Sequence, residues 1–309
     1  LRRWLRTWPL PQVKSFFEDE LVVPLQEEAD GKYFPVSGKA QEVLDALLGA
    51  ITSAGVALEF GSRVEELPTL LEKGPVILAT GGRSVPKTGS DGHGYEMAKA
   101  LGHSTVPTYP ALVPLFGPEK GFQDLSGVSL PVRWRARDAN GKILEERVRE
   151  LLVTHQGFSG PAILDASHWV VRDGAILEIS WQGHQKKTWL NWFQNRTGTV
   201  GNILQKELPK RLAHFLLAQA GIPVDLSLSQ FDKPRREQLL QLLTAYPLAI
   251  DGDGGFKVAE VTGGGIPLKE VDPRSLQSRC YLSLYFCGEI LDLTGRLGGF
   301  NFYWAWLSG

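Results

Sequence analysis

The chain is 309 residues long, enough to bury a full core without disulfide or metal staples and enough for two domains. Lys and Arg number 33 against 34 Asp and Glu, a formal net charge of −1 with no long run of one sign, which gives no reason to expect nucleic acid as a partner. The two cysteines, Cys280 and Cys287, stand at no zinc or redox spacing, there is no apolar run near the roughly 20 residues of a membrane span, and the Leu-Arg-Arg-Trp start is no signal peptide; the expectation is a cytoplasmic chain with no membrane partner.

Gln12 to Glu20 predicts a helix, and Ser37 is read as the N-cap of a second one. There Ala40, Val43, Leu44, Leu47, Leu48 and Ile51 recur at helical spacing, and Gly55 closes the run. Val56, Leu58 and Phe60 then alternate as a short strand, so helix passes to strand in the manner of an α/β sheet. Pro75 to Thr80 is a continuous apolar run ending in Gly81-Gly82, the pattern of a buried parallel strand whose carboxyl end faces ligands. The polar, glycine-rich loop from Lys87 to Gly94 carries either a phosphate or merely a turn, and it opens a short helix through Tyr95, Ala98 and Leu101 that Gly102 caps.

From about Val106 the character changes to antiparallel sheet. Val128 to Arg137 alternates, Asp138-Ala139-Asn140-Gly141 is a hairpin turn, Ile143 to Val153 returns, and Ile176 to Trp181 adds a strand. Val200 to Gly221 and Pro234 to Ala245 read as helices, with Pro209 starting the second of two rather than kinking one. Through Gly263-Gly264-Gly265 the chain returns to α/β pattern. There an apolar strand from Leu284 runs into Gly288-Glu289 and then Gly298-Gly299-Phe300-Asn301, before an aromatic-rich helix. Such a turn brings backbone N–H groups close to an anionic or polar ligand. The chain begins at Leu1 rather than Met and stops at Gly309 in the first turns of that helix, which reads as a fragment of something longer.

Neither G-x-G-x-x-G nor G-x-x-x-x-G-K-[ST] occurs. Five stretches nevertheless resemble one family, in order and over essentially the whole chain. They are Lys32 to Ser37, Leu78 to His103, Pro110 to Leu115, Thr154-His155-Gln156-Gly157-Phe158-Ser159-Gly160-Pro161 to Leu164, and Val261 to Trp306. Together they are similar to the bacterial NAD(P)/FAD-dependent oxidoreductases that include bile-acid reductase-type and aminoacetone oxidase-type flavoproteins. The chain departs from that pattern in Lys32-Tyr33, where Arg-Val is usual, in His93, where an aspartate is common, and in lacking the opening βαβ unit with its glycine-rich pyrophosphate loop.

The resemblance implies an α/β fold: a discontinuous FAD-binding Rossmann-like domain, residues 1–106 and 259–309, with the N-terminal βαβ missing. Inserted at 107–258 are a β-barrel-like subdomain and a small helical one at about 200–250. It implies FAD as cofactor, NAD(P)H as a plausible electron donor and a small-molecule substrate held between flavin and insertion. Glu289, after Gly288, would accept hydrogen bonds from the ribityl chain. Gly298, Gly299, Phe300 and Asn301 would lie under the pyrimidine end of the ring, where the following helix stabilises a reduced flavin. Thr80, Gly81 and Gly82 either pass close to the pyrophosphate or only end a strand, and Asp292 either touches the ribityl chain or caps a turn. His155 invites a catalytic role but equally suits a packed connection, and no catalytic residue or metal ligand is assigned. Two other expectations stay open: a flavin oxidase that uses oxygen on amines or aminoketones, and a truncated fragment unable to hold FAD.

Overall fold

The computed structural model describes residues 4–28, 31–117 and 122–309. The chain divides into two compact units. One holds the chain up to Arg83 with residues 87–108 and 263–309, and the other holds 84–86 with 109–262. No helix among the described residues is long and apolar enough to cross a membrane.

In the first unit the run after Pro75 forms the strand Val76–Leu78, which pairs in parallel with Leu284–Phe286, Val76 opposite Leu284 and Leu78 opposite Phe286. The strand is parallel, as its apolar run predicts, but only one face is covered: Leu78 is 4% exposed and Ile77 62%. Behind the pair lie Leu67, Tyr95, Met97 and Ala98 from one side of the sequence and Ile266, Ile290 and Trp304 from the other. The predicted strand at Val56, Leu58 and Phe60 does not form; all three side chains are exposed and the segment is in no ladder. Alternation makes a strand only where a neighbour supplies hydrogen bonds, and no described strand runs beside it.

The helix Ala40–Ser53 forms where its periodicity places it, though the cap differs: Lys39 is the N-cap residue, while the Ser37 hydroxyl accepts the Lys39 N–H and bonds Glu42. Val43, Ala46 and Leu47 pack on Val13, Phe17, Leu21 and Val23. Val13 and Phe17 come from a helical run over residues 10–20 whose second half, Phe16–Glu20, widens into a π turn, and Leu21 and Val23 follow it.

The second unit is built on a seven-stranded antiparallel sheet in the order Tyr246–Pro247, Ile176–Trp181, Ser129–Arg137, Ile143–Val153, Gly157–Ser159, Leu115–Phe116, Gly252–Asp253. The central hairpin closes where Asp138 accepts the N–H groups of Asn140 and Lys142, both at 2.9 Å. At one end of the sheet the Leu248 N–H donates to Leu177, and at the other the Asp251 N–H donates to Phe116. In a flat sheet those residues would stand about 29 Å apart. Three residues of chain reach about 11 Å at most. The sheet therefore curls until its ends nearly meet, a barrel-like form that Leu248–Asp251 bridges without a ladder between the end strands.

The curl packs Trp134, Trp181, Leu151, Phe158 and Ile179 inside, against the helix Pro161–Asp173 and a helical layer. That layer comprises Lys186–Asn195, Val200–Glu207, Lys210–Gln219 and Lys233–Thr244. Pro209 does separate two helices. Trp189 is fully buried and Trp192 half-buried, so the tryptophan group belongs to this core.

Candidate cofactor site

Two strand ends and one helix start of the first unit meet at one place. The Val76–Leu78 strand runs out through Ala79 into Thr80, Gly81 (φ 72°) and buried Gly82, while Gly92 (φ 87°) leads into the helix His93–Ala100. Gly94, in the first turn, lets that helix lie against the strand end: a Cβ there would stand 1.9 Å from Thr80 Oγ1 and 3.1 Å from Ile290 Cδ1. Thr80 and the turn containing Glu289 and Ile290 are thus gathered around one glycine.

Beyond the second strand, Gly288 (φ 73°) donates its N–H to Ser308 Oγ at 2.8 Å, and its C=O accepts the Trp304 indole N–H at 3.1 Å. Both partners are on the helix Phe300–Ser308, whose start is set by Gly298 (φ 131°) and Gly299 (φ 81°). No side chain caps that helix. The Asn301 amide is engaged elsewhere: it holds the Gly295 N–H at 2.7 Å and the Gly295 C=O at 3.0 Å, closing the loop ahead of the helix. The Arg296 guanidinium lies 4.9 Å over the Phe300 ring. Where a Cβ would stand on Gly288 or Gly299 no atom of the described residues lies within 4 Å beyond the chain neighbours.

Tyr95 is the residue the sequence did not single out for chemistry. It is 3% exposed, and its hydroxyl has no hydrogen-bond partner among the described residues. Burial raises its pKa well above the ordinary phenol value, the charges of Glu289 and Asp292 add to this, and Arg83 opposes it. Arg83 lines the same cavity as Tyr95, and the charges of Glu289 and Asp292 are felt at the buried phenol. The Gly92-His93-Gly94 run just before Tyr95 was the available signal, since glycines there let the helix start press against the strand end.

Tyr95 lines a polar cavity of about 510 Å³ with Arg63, Arg83, Asp91, His93 and Thr105. A more apolar cavity of about 370 Å³ adjoins Thr80, Gly94, Ile77, Leu67 and Met97. Burial pushes the Cys287 thiol up, away from thiolate chemistry. His155 lies in the second unit and is exposed, in none of these clusters.

A separate polar knot holds the returning chain. Ser278 Oγ accepts the N–H groups of Cys280 and Tyr281, so its own proton goes to His103 Nε2 at 2.7 Å, which leaves Nδ1 to donate to Glu270 at 3.0 Å. Ser104 adds its N–H and hydroxyl to the same carboxylate. The His103, Glu270 and Cys280 donor atoms lie within 4.8 Å of one another, but the ring and the carboxylate are already spent on these bonds.

Burial alone would raise the Glu270 pKa; the Ser104 and His103 bonds outweigh it and hold the carboxyl below its usual value. A depressed carboxylate stabilises the fold above its unfolded pKa, and the benefit is lost as pH falls through the folded one. Glu270→Gln should therefore lower the melting temperature at neutral pH, with the gap to wild type narrowing as pH falls below the ordinary glutamate range. A gap of constant size across that range would contradict this.

The whole chain, residues 1–309, matches the HI0933-like protein Rossmann domain family. It is 38% identical over 240 residues to the ribosomal RNA dihydrouridine synthase of Escherichia coli K12 and 35% identical over 238 residues to the protein of that name from Haemophilus influenzae. Each match covers 75% of this chain but 58% of the relative, so the chain spans little more than half the length of these two. It is 30% identical over 303 residues to the 3-dehydro-bile acid delta(4,6)-reductase of Clostridium scindens, covering 90% of this chain and 74% of that enzyme. The chain belongs to the HI0933-like family of flavoprotein oxidoreductases.

Proposed function

We propose that this chain forms the greater part of an FAD-dependent reductase that saturates a carbon–carbon double bond conjugated to a carbonyl, with NAD(P)H as electron donor. The observation that carries the reading is the chemistry common to the relatives' names. Making dihydrouridine saturates the uracil ring double bond beside a carbonyl, and a delta(4,6)-reductase acts on double bonds in conjugation with a 3-keto group. The higher identity of the dihydrouridine synthases favours a uracil base within RNA over a free small molecule.

The residues present fit the ring and ribityl side of a flavin. Gly288 and Gly299 leave space at the backbone, the charges of two acids reach a buried phenol, and an uncapped helix start follows Gly299. When bound, FAD supplies the hydride. Glu289 and Asp292 would accept hydrogen bonds from hydroxyl groups, and the start of the Phe300–Ser308 helix would stabilise negative charge. Asn301 contributes by holding the Gly295 loop. Tyr95 keeps its proton through neutral pH and offers a donor in a site shielded from water.

The test is to supply the purified protein with FAD, follow its visible spectrum on anaerobic addition of NADPH or NADH, and digest treated ribosomal RNA for dihydrouridine. A parallel reaction takes an α,β-unsaturated ketone. A colourless preparation indifferent to FAD, or oxygen consumption on amines with both double bonds untouched, would overturn the reading.

A further inference from the structure

The near-zero net charge conceals a segregation. Residues 186–237 carry nine Lys and Arg against four Asp and Glu, which leaves the rest of the chain with 24 against 30. Part of this excess converges in space. Lys186 and Lys187 open the helix Lys186–Asn195, while Lys233, Arg235 and Arg236 lie in the first turn of Lys233–Thr244. The Lys186 ammonium bridges to Glu237, and Phe193 packs edge-on against Phe231 at 5.2 Å, so the two helices lie together. The Lys186 hydrogen bond holds the Glu237 carboxyl below its usual value; desolvation, the next largest influence, opposes it, and the charges of Lys186, Lys233 and Arg236 add to the lowering.

Five cations are therefore gathered against two carboxylates. Asp232 accepts the Arg235 backbone N–H as helix cap and also lies 3.9 Å from the Arg235 guanidinium, and Glu237 is taken by Lys186, so three of the five cations have no carboxylate of their own within the cluster. Lys187, Lys233 and Arg235 are exposed, and the buried Nε of Arg236 has no hydrogen-bond partner among the described residues. Fold stability does not explain the arrangement, because cations in a first helical turn oppose the helix dipole. The cluster is left with a net positive charge that an anion outside the chain would neutralise.

We propose that the Lys186, Lys187, Lys233, Arg235 and Arg236 cluster binds the phosphodiester backbone of a folded RNA and holds it while one of its bases is reduced. Charge complementarity selects a polyanion, and the choice of RNA rests on the functional reading above. Such contacts position a nucleic acid and read no sequence. Binding should weaken steeply with salt, because each phosphate contact releases counterions.

The experiment compares flavin-loaded wild type with the triple variant Lys187→Ala, Lys233→Ala and Arg235→Ala, all at exposed positions. Fluorescence anisotropy of a labelled ribosomal RNA hairpin is measured across a salt series, and circular dichroism confirms that the variant is folded. The variant should bind roughly tenfold more weakly. Its log–log salt slope should be shallower by about 3. KM for RNA should rise with kcat kept, and the rate of flavin reduction by NAD(P)H should not change.

Equal affinity and equal slope in the two proteins would overturn the proposal. So would failure of wild type to bind the hairpin at low salt, or tighter binding to anionic vesicles or polyglutamate than to RNA. The two readings fail separately. RNA converted equally by both proteins sinks the patch and spares the reductase, whereas RNA held through the patch but never converted sinks the reductase reading on RNA and spares the patch.

Discussion

Gly265→Ala should destabilise the first unit by on the order of 3 kcal/mol and, on the proposed reading, lower its flavin content as well. Gly265 sits at φ 124°, and a Cβ there would stand 2.5 Å from the carbonyl oxygen of Ile290. The obstacle is backbone, so no rotamer relieves it. The displaced residue directly follows Glu289 and also packs against Gly94, so strain at Gly265 reaches both sides of the site. Gly55→Ala, in the same unit but outside the site, is the matched control. It shares a positive φ of 72°, but its Cβ would meet nothing within 4 Å among the described residues, and the cost should be about 1 kcal/mol from backbone strain alone. Urea unfolding followed by circular dichroism, with flavin content measured on the same preparations, separates the two. Equal losses would show that the Ile290 contact is not what matters.

Trp181→Ala should cost about 3–5 kcal/mol in the second unit. The side chain is fully buried, its ring lies 5.7 Å from that of Tyr246, and its indole N–H donates to the Leu242 carbonyl at 3.0 Å. Truncation leaves a large apolar cavity and takes a partner from a carbonyl in the core. Trp192→Ala, which removes a half-buried ring stacked edge-on against Trp189 and covered by Arg196, should cost about 1 kcal/mol. Denaturant midpoints give both values. A Trp192 effect as large as that of Trp181 would mean that the layer of helices, rather than the inside of the curled sheet, dominates stability.

What could be read in advance follows the range of the forces involved. The hairpin at Asp138 to Gly141, the strand Ile176–Trp181, the break at Pro209 and the helix Ala40–Ser53 depend on turn chemistry, periodicity and proline sterics, all written within a dozen residues. The segment Val56 to Phe60 shows the limit, because alternation states which face a strand would bury but not whether a partner exists. Ser37 shows another: its hydroxyl had two nearby N–H groups to choose from, and composition does not decide between them. The glycines of the site were legible one by one. Tyr95 was not, because its burial is completed by Ile266, Ile290 and Trp304, which arrive from the far end of the chain. The cation cluster was hidden for the same reason, its members being split between two helix starts more than forty residues apart.

The parallel pairing of Val76–Leu78 with Leu284–Phe286 also sets a timetable. At ordinary rates of synthesis, roughly 200 residues separate the emergence of the first strand from that of its partner by about 10–40 s. Every strand of the curled sheet appears within that interval and can close on its own hydrophobic interior. Leu78, Tyr95 and Met97 meanwhile lack Phe286, Ile290 and Trp304, the residues that later cover them. The unit that begins first on the ribosome is completed last, and its unfinished apolar surface is the one a nascent-chain chaperone would meet.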